Sequence, residues 1–290
     1  MTSHEKETIL KTILFALAED LGDGDHTSLA TISGEAQGEA YMLAKETGIL
    51  SGVEVALMVF KAVDPDLKVE LLLPEASTLK KGDHILKVCG RSRSILSAER
   101  TALNFIQRMS GIATFTNQVT GQLKGLKTKL LDTRKTTPCN RMVEKIAVRT
   151  GGGQNHRFGL YDMIMIKDNH IDFAGGIENA VTRTREYMRQ KGKNLKIEVE
   201  VRNLKELDLV LGLTGIDRVM LDNFTTSELK KAVHLVNGKM ETEASGGINI
   251  ESIRGYAETG VDFISMGALT HQIKSLDISL KAVHHSSPAN

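Results

Sequence analysis

The chain has 290 residues, 41% hydrophobic and 25% charged, with no Trp, two cysteines and a formal net charge of +1. That length predicts about two domains and a substantial core. The near-neutral balance argues against a broad nucleic-acid face, two cysteines argue against a disulfide framework and for a reducing compartment, by default the cytoplasm, and the N-terminal apolar run is too short to span a bilayer.

In chain order, Ile9, Ile13, Leu14 and Leu17 mark one face of an N-terminal amphipathic helix. The strand-like pieces GEAYMLAKETGILSG, KVELLLPEASTL and DHILKVCGRSRSIL follow, interrupted by a helix from Val53 to Val63. They predict a smaller α+β domain over residues 1–110. Ser97 is expected to cap the long apolar-periodic segment SAERTALNFIQRMSGIATFTNQV, which carries the chain into a second domain over residues 111–271.

From Leu130 onward one theme repeats: an apolar run ends in polar residues, and a helical segment closed by glycine follows. The runs are KLLDTRK, MIMIKDNH, KIEVEVRN, RVMLDNF, METEASGG and DFISMGAL. Pro138 lies near a first turn, Thr225 and Glu228 have capping-box spacing, Asn249 reads as an N-cap, and Gly192, Gly215, Gly238 and Gly260 follow helix ends. Alternating strand and helix without a dinucleotide fingerprint favours an α/β barrel over an open doubly wound sheet. Residues 272–290 form a tail expected to pack back on the N-terminal domain.

In such a barrel the residues just after each strand converge at one face. That rule selects Asp132, Arg134, Lys135, Lys167, Asp168, Asn169, His170, Glu200, Asp222, Asn223, Ser245, Gly246, Gly247 and Gly267. Arg141, Lys145, Arg149, His156 and Arg157 add to a crowd of cations around Gly151, Gly152 and Gly153, in a protein with almost no net charge. A small polyanion fits this crowd better than a nucleic-acid surface, while Glu200 and Asp222 suit a hard cation such as Mg²⁺. Each residue also has a plainer reading. Lys167 alone reads as surface, Glu198 and Glu200 as the polar face of a half-exposed strand, the triple glycine equally as a helix end, and Cys139 as an incidental thiol. Joint occurrence at nearly every strand end outweighs these readings.

The motifs DTRKTTP, GGGQNHRFGL, IKDNHI, EVEV, LDNF, ASGGI and GALTH, in this order, resemble the quinolinate phosphoribosyltransferase family. The similarity runs from EDLGDGDHTS through ERTALNFIQRMSGIAT to LDISLK, nearly the whole chain. It implies a two-domain enzyme with an open α/β barrel, acting as a homodimer with shared active sites or a higher assembly of dimers. The reaction it implies is phosphoribosyl transfer from phosphoribosyl pyrophosphate to quinolinate with decarboxylation, in de novo NAD biosynthesis. It assigns Arg134, His156, Arg157 and Lys167 to the quinolinate carboxylates, with Arg100 arriving from the partner subunit. Lys135, Glu200 and Asp222 fall to phosphoribosyl pyrophosphate and its Mg²⁺, and Ser245, Gly246, Gly247, Gly267 and His271 to the ribose phosphate. Cys139 and Asn140 depart from the family pattern, which commonly reads Gly-Leu there, and this bears on loop geometry. Other readings of the same residues are a relative that uses nicotinate without decarboxylation, a Schiff-base aldolase using Lys167, and a non-catalytic anion-binding protein.

Overall fold

A computed structural model describes residues 1–283 and divides into two compact units. The first comprises residues 1–117, 136–152 and 272 onward, the second residues 118–135 and 153–271. The boundary expected at residue 110 lies inside a continuous helix, and residues 136–152 group with the first unit rather than with the barrel segment. Residues 284–290 of the expected tail lie outside the described residues.

The first unit opens with α1 (Ser3–Leu21), started by a Thr2–Glu5 capping box that satisfies two end N–H groups. Ile9, Ile13 and Leu17, four residues apart, form its buried face. Leu14 is 52% exposed, a correction to the predicted face, because it sits one residue off that stripe. The short α2 (His26–Thr31) precedes β1 (Gln37–Ala44) and β2 (Gly48–Ile49). The next helix, α3 (Val53–Val63), has the predicted bounds. No side chain of its own caps it. Gly52 stands at φ +96°, and the Glu75 carboxylate instead accepts from the Gly52 and Val53 N–H groups at 2.8 and 3.0 Å. β3 (Lys68–Leu71), β4 (Thr78–Leu79) and β5 (His84–Arg91) lead into the 31-residue α4 (Ser92–Gln122). This helix begins at Ser92, five residues before the predicted cap, and the Ser97 hydroxyl instead donates to Asp25 at 3.3 Å.

The second unit contains a parallel sheet built from the six predicted runs. β6 (Lys129–Leu131) comes first, and the chain then contributes α5 (Arg141–Thr150) to the first unit. β7 (Ile164–Ile166), α6 (Asp168–Ala174), α7 (Ile177–Lys191), β8 (Ile197–Val201), α8 (Leu204–Leu211), β9 (Arg218–Asp222), α9 (Thr226–Val236), β10 (Glu241–Ser245), α10 (Ile253–Ala257), β11 (Phe263–Ser265) and α11 (Ala268–His271) follow. The strand order is β6-β11-β10-β9-β8-β7, with parallel pairing throughout. This is an α/β barrel left open between β6 and β7, where Gln154 adds a single parallel bridge to Leu131. The Thr225–Glu228 capping box forms as predicted. Asn249 caps a turn through the Ser252 N–H, and the helix proper starts at Ile253. The last element, β12 (Ile278–Ala282), returns to the first unit and pairs antiparallel with β1, giving the sheet order β12-β1-β5-β3.

All five residues of β8 are buried, which corrects the half-exposed reading. Strands of a barrel are covered on both faces. The alternation of Glu with Ile and Val in β8 therefore separates a polar interior from a helix-covered exterior, rather than core from solvent.

Candidate active site

The polar ends of the six barrel strands carry the predicted residues, and the second unit holds all of the assigned set except Arg100. Arg100 is exposed on α4 in the first unit. Arg141, Lys145 and Arg149 also belong to the first unit, where Lys145 is 1% exposed and Arg149 pairs with Glu5 at 2.6 Å. Gly151 and Gly152 end α5, and a Cβ at Gly151 would strike the Ala113 carbonyl and Thr116. The helix-end reading of the triple glycine accounts for this packing.

One part of the second-unit site is cationic. Asp132, fully buried after β6, organises the next loop: its carboxylate accepts from the His156 N–H at 2.8 Å and from the Asn155 amide at 2.6 Å. Arg157 follows, with a guanidinium N–H on the Met163 carbonyl at 3.2 Å. Burial and the neighbouring Arg134 guanidinium both pull Arg157 below its ordinary value, so two like charges face one region.

The adjoining part is anionic. Burial and the neighbouring Glu200 carboxylate raise Asp222 above its ordinary value, against the opposing pull of Lys167. The Lys167 ammonium lies 2.6 Å from Glu200 and joins the two parts. Glu200 and Asp222 supply the hard oxygen donors that Mg²⁺ takes, and a divalent cation would relieve the repulsion that raises Asp222.

Beside them the backbone is kept bare. Gly246 has φ +99°, and a Cβ there would collide with the Asn223 side-chain oxygen and stand 2.8 Å from the Asn223 nitrogen. Asn223 is itself left-handed at φ 57°, and its N–H donates to the Ser245 carbonyl at 2.9 Å. At Gly267 a Cβ would lie 2.9 Å from the His271 ring and 3.0 Å from the Lys135 side chain. Lys135, Gly267 and His271 therefore gather at one point, with the Thr270 hydroxyl donating to the Lys135 carbonyl at 2.7 Å. Small residues between a Lys and a His form a cradle suited to a phosphate.

Beneath the cationic loop lies a buried charge cluster that sequence reading missed. His156 is 8% exposed, and its Nε2 stands 3.0 Å from Glu198 and 3.4 Å from Glu243, both fully buried. Both approaches lie within ion-pair distance. Arg218 donates to Glu243 at 2.9 Å and to Glu241 at 3.0 Å, with its guanidinium 4.1 Å from the Phe263 ring centre. Burial alone would lower His156, but contact with Glu198 and Glu243 outweighs it and lifts the ring to about 9. Burial and Glu243 together push Glu198 up. Both shifts mean that two buried carboxylates facing one guanidinium retain an extra proton. The Arg157 N–H lies 2.6 Å from His156 Nδ1, an arrangement that puts a ring proton on Nε2, facing the carboxylates. Ligand atoms of His156, Glu198 and Glu243 could surround a metal ion, being within 4.8 Å of one another. The Arg218 guanidinium already supplies positive charge there. The sequence signal was Glu at alternate positions of β8 and β10 opposite Arg in β9, which becomes visible only with the register Glu198↔Arg218↔Glu241.

The model of the quinolinate phosphoribosyl transferase N-terminal domain matches residues 25–110, and that of the C-terminal domain residues 112–281. The chain is 48% identical over 294 residues to a chloroplastic nicotinate-nucleotide pyrophosphorylase (carboxylating) of Arabidopsis thaliana, covering 96% of this chain and 84% of that protein. It is 44% identical over 262 residues to a probable nicotinate-nucleotide pyrophosphorylase (carboxylating) of Bacillus subtilis, covering 90% and 89%. The nicotinate-nucleotide pyrophosphorylase structure from Francisella tularensis superposes with a TM-score of 0.89 at 42% identity, covering 96% of both chains. With both domain models matched along nearly its whole length, the chain belongs to the quinolinate phosphoribosyl transferase family.

Proposed function

We propose that this chain transfers the phosphoribosyl group of phosphoribosyl pyrophosphate to quinolinate and decarboxylates the adduct, giving nicotinate mononucleotide, pyrophosphate and carbon dioxide in de novo NAD biosynthesis. The observation that carries this reading is the apposition of two like-charged pairs, Arg134 with Arg157 and Glu200 with Asp222. A dicarboxylate relieves the first, and a metal-bound pyrophosphate suits the second.

Arg134, Arg157 and Lys167 hold the two carboxylates, with His156, both of whose ring nitrogens are already engaged, fixing the loop beneath them, and Lys167 exchanges Glu200 for substrate as it does so. Glu200 and Asp222 would hold Mg²⁺, which would supply positive charge to the pyrophosphate. Lys135, His271 and the bare backbone at Ser245, Gly246, Gly247 and Gly267 seat the phosphates. The quinolinate nitrogen attacks the ribose carbon as the bond to pyrophosphate breaks, and Lys135 stabilises the departing charge. The quaternised ring then accepts the electron pair left when carbon dioxide departs, and a proton fills the vacated carbon. Burial of Arg157 marks a partly dry pocket, which favours conversion of a carboxylate to neutral carbon dioxide.

Arg100 acts in the cleft of a partner subunit, an exchange that two-fold symmetry makes reciprocal. Its exposure on α4, a helix of the first unit, supports this assignment. Arg100→Ala and Arg157→Ala would each be nearly inactive, yet co-refolding them would restore about a quarter of wild-type activity, since half the dimers are mixed and each then carries one intact site. Confirmed heterodimers without recovery would end the shared-site assignment. Among the described residues no helix is long and apolar enough to cross a membrane. Cys89 and Cys139 are both unpaired, which supports a reducing compartment such as the cytoplasm.

The deciding experiment is incubation with phosphoribosyl pyrophosphate, Mg²⁺ and either quinolinate or nicotinate, reading nucleotide and carbon dioxide together. Equal yields of both from quinolinate are expected. Nucleotide from nicotinate alone would reassign the substrate, borohydride trapping of a carbonyl substrate on Lys167 would indicate an aldolase, and quinolinate binding without turnover would leave an anion-binding protein.

A further inference from the structure

The cationic loop is fixed from below as well as along its own chain. Asp132 holds it through the His156 N–H and the Asn155 amide, and the His156 ring meets the Arg157 N–H. On its other side that ring faces Glu198 of β8 and Glu243 of β10, while Arg218 of β9 holds Glu243. Four side chains of the barrel interior therefore lead to the main chain of Arg157. Placing two carboxylates at 0% exposure is costly unless their charge is balanced and used.

We propose that Glu198, Glu243 and Arg218 are positioning residues for substrate binding: they orient His156, which fixes the Arg157 main chain so that its guanidinium meets a quinolinate carboxylate. The proposal rests on the assignment of Arg157 to that carboxylate. Arg218 is itself restrained by Phe263 and Glu241, so the base of the assembly is stiff.

The test measures steady-state kinetics with both substrates for Glu243→Gln, with quinolinate affinity read by calorimetry. In Glu243→Gln the quinolinate KM is expected to rise about tenfold, with kcat and the phosphoribosyl pyrophosphate KM within about threefold of wild type. An unchanged quinolinate KM in Glu243→Gln overturns the proposal, as does a loss shared equally by kcat and both KM values. Should Glu243→Gln not fold, Glu198→Gln carries the same test from the other carboxylate, and failure of both to fold assigns these side chains to stability instead. A wild-type protein inactive on quinolinate would strike the proposed function, and a wild-type protein that turns it over while Arg157→Ala binds it normally would strike only the Arg157 assignment.

Discussion

Two buried acidic sites, one in each unit, handle charge in opposite ways. In the first unit Asp64, with a side chain 2% exposed, meets Arg91 through a two-point fork at 2.8 Å on both oxygens. One anion meets one cation, and Arg91 holds the Asp64 carboxyl well below its ordinary value. In the barrel one guanidinium is shared by Glu243 and Glu241 while Glu198 faces the histidine of the cationic loop, so the balance needs a proton. A closed pair needs nothing further and serves the fold. An unbalanced cluster ties its protonation to whatever loop it supports.

The largest break in this comparison is expected from Arg157→Ala. Losing the partner of a desolvated carboxylate costs about 2–5 kcal/mol, so calorimetry should show quinolinate affinity falling by roughly 30-fold or more. Asp64→Asn, in contrast, should leave that affinity unchanged and lower the unfolding midpoint by roughly 3–6 °C. Unchanged affinity in Arg157→Ala, in a folded protein, would remove it from the site.

Asp222→Asn or Glu200→Gln should raise the phosphoribosyl pyrophosphate KM by about 10- to 100-fold, partly recovered by added Mg²⁺, with quinolinate affinity changed much less. Loss of quinolinate binding with unaltered Mg²⁺ dependence would overturn the division into cationic and anionic parts.

The two acidic sites should also respond to pH with opposite signs. His156, raised to about 9, and Glu198, also raised, mean that the folded cluster keeps one shared proton that the unfolded chain releases, while Nδ1 still accepts from the Arg157 N–H. That contribution is complete below the ordinary imidazole value and is lost as pH rises through about 9. Asp64 is depressed from 3.8, so its contribution is complete above 3.8 and is lost as pH falls further. Urea titrations across the range should show the alkaline decline shrinking in Glu243→Gln and the acid decline shrinking in Asp64→Asn.

The smallest effect concerns Cys139, exposed and left-handed at φ 64°. A β-carbon is disfavoured in that conformation by about 1 kcal/mol, so Cys139→Gly should stabilise the protein by up to about that amount. A loss of stability on replacement would show that the thiol makes a compensating contact.

The strand ends were legible in the sequence because each apolar run stops at a polar residue, and barrel topology does the rest for Lys167, Asp222 and Ser245. The buried cluster was not, because IEVEV reads the same whether its glutamates face water or a polar interior. Only pairing with Arg218 distinguishes the two. Periodicity placed α1 but assigned Leu14 to the wrong side, since a stripe of four-residue steps leaves adjacent positions ambiguous. Ser97 was misread because a serine that binds Asp25 from within a helix looks in sequence like one that begins it. The Gly-Leu departure had a physical meaning that sequence alone could not give: Cys139 occupies a backbone conformation that favours glycine.

The single bridge at the open side of the barrel bears on how the sheet meets other chains. The Gln154 N–H donates to the Leu130 carbonyl at 2.8 Å, and its carbonyl accepts from the Asp132 N–H at 3.1 Å. Those groups belong to the border of β6, which would otherwise offer a template for a strand from another molecule. One residue thus acts as a selvedge, occupying the border's polar groups and sending the chain two residues later into His156. Protection against edge-to-edge aggregation and the starting direction of the cationic loop therefore depend on the same two hydrogen bonds.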